Sequence, residues 1–202
     1  NISDNTGTVY REVTSSVTGR VWLDRNLGAS QVAVGSNDAD SFGYLYQWGR
    51  NTDGHELRTS TVSSTTASSG TPSSNQFIEG LNIAGVNSNW TNYAQEDDLW
   101  QGGVSDNNPC PSGYRLPTET ELQAEINGFT LPLNQASAFT SFLKLPSAGV
   151  RAVDGSLVTS QGRYWTSTIS GVNSRGVFIG GSIVINNYSR AMGASVRCIK
   201  PL

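Results

Sequence analysis

The apolar and polar positions of this chain divide it at about residue 110. Before that point hydrophobic residues come in short bursts between long polar stretches; after it they recur at strand spacing. Residues 8–29 read as β structure: Val9, Val13 and Val17 stand among Thr and Ser, and Gly19-Arg20 marks a turn. The stretch 21–27 then alternates bulky apolar with polar residues, as a half-buried strand does. Phe42, Tyr44, Tyr46 and Trp48 repeat with a period of two, which fits a strand, although residues 44–49 fit one short helix ending at Gly49 equally well. Residues 60–74 are rich in Ser, Thr, Gly and Pro and hold no hydrophobic cluster, and an excursion of that length in a compact domain is usually functional or mobile. Phe77 and Ile78 return to the core.

The strongest helix signal follows the first cysteine. Thr118 is placed to cap a helix, and Glu121, three residues on, to reach back to the amide of the cap. Pro117 prevents an earlier start and biases Leu116 to extended backbone. The helix is expected over 119–126, closed by Asn127-Gly128. A second short helix is expected over 136–142. Strands are expected at 143–145, with Pro146 suggesting an edge, at 148–153 and 156–159 around an Asp154-Gly155 hairpin turn, and at 164–169, 175–179, 182–188 and 195–200. Turns at Ser170-Gly171, Gly180-Gly181 and Met192-Gly193 space the later strands as an antiparallel meander.

Composition narrows the class. The chain has 202 residues, with 36% hydrophobic and 14% charged, yet it carries 5 Trp, 7 Tyr and 6 Phe, enough to build a core. It reads as a β-rich or loop-rich extracellular module. A net charge of -3 gives no basic footprint for nucleic acid. No apolar run is long enough to span a membrane. No secretory leader is visible, and the opening at Asn1 reads as part of a longer protein. Cys110 and Cys198 lie far apart, without CxxC spacing or nearby histidines, which argues against zinc. One disulfide is the favoured reading, with two buried thiols as the alternative; a bridge over such a loop contributes roughly 3–5 kcal/mol.

The candidate chemistry lies in loops. Acidic residues cluster at Asp38 and Asp40, at Asp53 and Glu56 around His55, and at Asp97 and Asp98, with Asp106 beyond. Calcium takes six to eight oxygens from such loops, although Asp and Asn also populate turns because their side chains bond nearby backbone. His55, the only histidine, reads as structural or loop-capping. Trp90, Tyr93 and Trp100 are candidates for stacking on a sugar or clamping a peptide, whereas Trp22, Trp48 and Trp165 have strand-like surroundings and read as core. Arg50, Arg58, Arg175 and Arg190 could each receive a carboxylate in bidentate fashion, or pair with the acidic loops.

The block Cys110 to Leu122, of sequence CPSGYRLPTETEL, resembles the hallmark of the Fibrobacter succinogenes major paralogous domain. Residues 21–28 (VWLDRNLG), 42–50 (FGYLYQWGR), 164–168 (YWTST) and 195–200 (SVRCIK) are similar to its other blocks, in the same order, so the resemblance spans nearly the whole chain. It implies an α+β, C-type-lectin-like fold: a twisted antiparallel sheet, one or two short helices and long calcium-binding loops. It also strengthens the Cys110–Cys198 bridge. The stretch Trp48 to Glu56 (WGRNTDGHE) resembles the ligand-binding modules of large calcium-dependent RTX adhesins of Gram-negative bacteria. From this comes the expectation of a single domain, 1–202, with a long loop insertion at about 30–108. It would be a monomeric, extracellular, cell-surface module binding Ca2+ and a peptide or protein C-terminus, or a glycan as a lectin. An enzyme working through paired carboxylates and a purely structural domain are the lesser alternatives. The ligand face is expected to draw on Asp38–Glu56 and residues 90–106, with help from loops near Asn173, Arg175, Asn186 and Arg190.

Overall fold

The computed structural model describes residues 2–80, 89–94, 96–101 and 107–202. Two short antiparallel pairs open the chain: β1 (Ile2–Ser3) with β2 (Val9–Tyr10), and β3 (Glu12–Thr14) with β4 (Val21–Leu23). The expected strand over 21–27 stops at Leu23, because Asp24 and Asn26 turn inward to serve other segments. Asn26 Nδ2 donates to the Phe42 carbonyl and the Tyr164 hydroxyl, each at 3.1 Å.

The aromatic stretch 42–48 is not a helix. Its centre, β5 (Tyr46–Gln47), pairs with β13 (Gly193–Ala194) in a four-stranded sheet of order β5-β13-β8-β9, where β8 is Val150–Arg151 and β9 is Leu157–Val158. Gly49 follows at φ +87°, a backbone that reverses the chain where side-chain-bearing residues are strained. The polar excursion contributes β6 (Val62–Ser63), which pairs in parallel with β7 (Phe77–Ile78). One-turn 3-10 helices cover Ala39–Ser41 and Glu96–Asp98.

Helix α1 spans Glu119–Ile126 with the full reciprocal cap: Thr118 Oγ1 accepts from the Glu121 amide, and Glu121 accepts from the Thr118 amide at 2.8 Å. Helix α2, Gln135–Thr140, starts one residue before the expected site because Asn134 caps it, accepting from the amides of Ala136 and Ser137. The segment 143–145 is not a strand. Lys144 has φ +46°, so Leu143 and Leu145 both face the core.

The meander is present as β10 (Gly162–Ser170), β11 (Asn173–Ile179) and β12 (Ile183–Ser189). Its first two turns fall where expected, but the third lies at Arg190–Ala191, and Gly193 is already inside β13. Tyr164, Val177, Ile179 and Ile183 face α1 and α2 in one core cluster, with Trp22, Leu122, Ile126 and Ile199. A second cluster joins Tyr10, Trp48, Trp100, Trp165 and Val196 around Cys110 and Cys198. Those two cysteines are bridged, with an S–S distance of 2.09 Å. The expected strand over 195–200 is reduced to isolated bridges at Ser195 and Ile199, and the result is an α+β arrangement of small, mostly antiparallel sheets with two short helices among the described residues, tied through Cys198, beyond β13, to the segment that precedes α1.

Candidate functional site

The candidate site grows out of the turn after β5. Gly49 and the Arg50 amide, which donates to the Gln47 carbonyl at 3.1 Å, swing the Arg50 side chain back into the interior, where it is fully buried. Its guanidinium donates to Asp53 Oδ2 at 2.7 and 3.1 Å, to Gln47 Oε1 at 2.9 Å, and to the carbonyls of Ser74 and Gln76 at 2.9 and 2.8 Å. It also lies 5.5 Å from the Trp90 ring centroid. Arg50 therefore ties the 50–56 turn to the far end of the Ser/Thr-rich excursion, using the fork geometry that lysine lacks. Burial lowers its pKa, and the Asp53 charge opposes that shift.

Asp53, His55 and Glu56 form a compact group whose ligand-capable atoms all lie within 4.8 Å of one another. His55 Nε2 accepts from the Gln47 amide at 3.0 Å, so the ring proton sits on Nδ1 and points to Asp53 Oδ1, 2.6 Å away. Burial pushes the His55 pKa down to about 4, outweighing the pull of Asp53, so the ring is neutral at pH 7. Asp53 is itself desolvated, which raises its pKa, but the His55 hydrogen bond and the Arg50 charge win and hold it below the usual carboxylate range. Glu56 differs: burial pushes it up, although its Oε2 accepts from the amides of Gly54 at 2.8 Å and Asp53 at 3.3 Å. Gly54, at φ +105°, lets this turn press on Asn75, where a Cβ would come within 3.0 Å. The three groups are close enough to hold a metal ion, but both His55 nitrogens are engaged here, so a transition metal would have to displace the Nδ1 proton, whereas the Asp53 and Glu56 carboxylates suit a hard cation as they stand.

Beside this group lies a trough of about 420 Å³, within the usual size range of ligand clefts. Ser63, Thr65, Thr66, Ser69, Ser73 and Ser74 are among its lining residues. Ser74 and Gln76 belong both to its wall and to the set of carbonyls that Arg50 holds, so the trough and the carboxylate group share one support. None of these hydroxyls was singled out by residue type. The available signal was regional: a stretch with nothing to bury, in a chain whose aromatics are otherwise spent on core.

The other expected site residues fall elsewhere. Asp38 caps the Ala39–Ser41 turn: its carboxylate accepts from the amides of Val34 and Asp40 and from Gln31 Nε2 at 2.9–3.3 Å. These bonds hold its pKa below the ordinary value, the Val34 amide contributing most. Asp40 is exposed nearby. Asp97 accepts from Arg190 Nη2 at 2.5 Å, Glu96 lies 3.3 Å from Arg190 Nη1, and Asp98 is exposed at the end of the same turn. Asp106 lies outside the described residues. Arg190 is buried, stacks 4.7 Å from the Trp48 ring centroid, and also donates to the carbonyls of Gly171 and Asn173. Arg175 spans Glu119 with two bonds of 2.7 and 2.8 Å and reaches Asn187, while Asn186 is exposed on β12 opposite Gly176.

Two expectations need correction outright. Trp90 and Trp100 do not stand on a ligand face. They are 0% and 2% exposed, and their indole N–H groups are spent on the carbonyls of Trp48 and Asn107. Tyr93 is half-buried beside Trp90. Arg50 and Arg190 are likewise interior cations whose carboxylate partners come from the chain itself. Of the expected set, the structure brings together Arg50, Asp53 and Glu56 in one group, and Arg190 with Asp97 in another.

Comparison with family models, with curated proteins and with solved structures finds no match to this chain.

Proposed function

We propose that the chain is a calcium-dependent ligand-binding module of a bacterial surface adhesin, of C-type-lectin-like fold, whose ligand is a peptide or protein C-terminus on another cell. The observation that carries this reading is the joining of the Asp53–His55–Glu56 group to the Ser/Thr-rich trough through Arg50. Asp53 and Glu56 would hold the ion, with backbone, water and ligand oxygens completing the shell that calcium needs. A bound cation would supply an electrophilic anchor for a ligand carboxylate. Composition and fold support the same reading: few charged residues, small and mostly antiparallel sheets, a disulfide, and ordered blocks that resemble those of the Fibrobacter succinogenes major paralogous domain. The disulfide favours an oxidising, extracellular setting.

A peptide fits the trough better than a sugar. Its walls are rich in Ser and Thr, whose hydroxyls can bond a peptide main chain, and the tryptophans that would stack on a sugar ring are buried. The test is a titration of peptides with free and with amidated C-termini, in calcium, in zinc and in EDTA, alongside thermal melting. Saturating calcium at about a hundred times its Kd should add about 2.7 kcal/mol, or about 5–10 °C for a chain of this size. Free-carboxylate peptides should bind in calcium alone. A melting temperature indifferent to EDTA, or peptide binding that survives chelation, would sink the calcium reading. Zinc in place of calcium would reassign the ion, and glycans in place of peptides would reassign the ligand.

A further inference from the structure

The trough lies between two arms of one excursion, 63–69 going out and 72–78 returning. Both arms are fastened by groups that do not line it. On the outgoing arm the Ala67 amide donates to the Trp90 carbonyl, and the Ala67 carbonyl accepts from the Asn92 amide, each at 3.0 Å, in a parallel bridge with Thr91. At the bend, Asn107 Nδ2 donates to the Gly70 carbonyl at 2.6 Å. On the returning arm, Arg50 holds the carbonyls of Ser74 and Gln76.

The bridge at Ala67 fixes where its neighbours point. The peptide units on either side of Ala67 are trans, and a trans unit is planar, with its C=O and N–H directed oppositely. The Thr66 carbonyl shares a unit with the Ala67 amide, and the Ser68 amide shares one with the Ala67 carbonyl. Both therefore point away from residues 90–92. Thr66 and Ser68 line the trough, and neither the Thr66 carbonyl nor the Ser68 amide has a partner among the described residues. One edge of this arm is paired and the other is open, as at the last strand of a sheet. No charged residue is among those that line the trough, and the Arg50 guanidinium beside it is spent on Asp53 and on carbonyls.

We propose that the trough takes its ligand by strand addition: an extended peptide segment with uncharged side chains pairs its main chain with the Thr66 carbonyl and the Ser68 amide, and so completes that edge. The mode rests on the peptide reading above and adds to it the place and manner in which the main chain is held. In a parallel ladder, a single ligand residue donates to the first group and accepts from the second. Main-chain bonds of this kind supply affinity and leave selectivity to the side chains that meet the walls. A wall without charged groups disfavours a ligand charge that has to be desolvated against it. The bridge at Ala67, the Asn107 bond and the Arg50 fork hold the edge in place before the ligand arrives, which lowers the ordering cost of binding.

The experiment screens peptides with free C-termini in calcium, then methylates each backbone nitrogen of the tightest in turn. A methyl on the nitrogen facing the Thr66 carbonyl should cost at least about tenfold in affinity, and methyls on the nitrogens to either side, which point away, much less. In hydrogen exchange, the Ala67 amide should be protected with or without peptide, whereas the Ser68 amide should exchange freely until peptide is added and then slow by at least about tenfold. Ser68→Ala should bind as the parent does, because the hydroxyl is not the group used. Ser68→Pro, which removes the N–H, should lose binding while keeping the parent melting temperature; if it does not fold, exchange at Ser68 decides. A Ser68 amide that exchanges unchanged in the saturated complex, or a methyl cost that is uniform along the peptide, overturns strand addition and leaves the peptide reading standing. No binding by any peptide in calcium overturns both.

Discussion

Glu121 offers a quantitative test of how the segment after the first cysteine holds the fold. Its carboxylate accepts from the Thr118 amide, takes two bonds of 2.8 Å from Arg115, and lies 2.8 Å from Arg20. Partial burial alone would raise its pKa, but Arg115, the Thr118 amide and Arg20 together bring it from 4.5 to about 2. The side chain is 16% exposed, so solvent screening is partial. A folded-state pKa below the unfolded one means that the unfolded chain binds more protons between the two values. The stabilisation is therefore complete above about pH 4.5 and is lost as pH falls toward 2. From that shift the contribution is about 3 kcal/mol at pH 7 and about 1 kcal/mol at pH 3, as upper values. Glu121→Gln removes the titrating group while keeping an acceptor for the cap amide. Urea midpoints of both proteins between pH 7 and pH 3 give the difference directly, and the other carboxylates cancel in it. The gap should close by about 2 kcal/mol over that range. A gap that stays constant with pH would refute the charge-based account and leave only a packing defect.

Two further perturbations address the core and the bridge. Replacing both Cys110 and Cys198 by Ser frees a loop spanning 88 residues, and the chain-entropy relation gives a loss of about 4–5 kcal/mol, readable as a lower denaturation midpoint; a loss below about 1 kcal/mol would mean that the unfolded chain is already constrained there. Trp90→Ala should cost about 3–5 kcal/mol, because the indole is fully buried and donates to the Trp48 carbonyl. Unchanged stability with weakened ligand binding would return Trp90 to a ligand face.

The parts of the fold legible from sequence were those governed by local rules. The Thr118–Glu121 cap, the Asp154-Gly155 turn and the β10–β12 spacing each depend on residues within a few positions of one another. The failures came from partners that arrive from far away. Residues 143–145 alternate like a strand, yet Lys144 takes a left-handed backbone, its amide donating to the Ser141 carbonyl, so both leucines reach the core. Trp90 and Trp100 sit in polar company along the chain, and only the fold shows that Trp48 and Arg190 enclose that region.

The acidic loops show the same limit and also suggest how to read what remains. A loop carboxylate can be satisfied by a cation, by backbone amides or by arginine, and residue type does not distinguish these. Asp38 is satisfied by amides within four positions, which a turn propensity already hints at. Asp97 is satisfied by Arg190, 93 positions away, which no local rule anticipates. Asp53 combines Arg50 with His55, and so remains compact enough to share with a metal ion. The interior cations divide in the same way: Arg50 and Arg190 meet carboxylates, whereas Arg151 and Arg197 are held by carbonyl, hydroxyl and amide oxygens brought from distant segments.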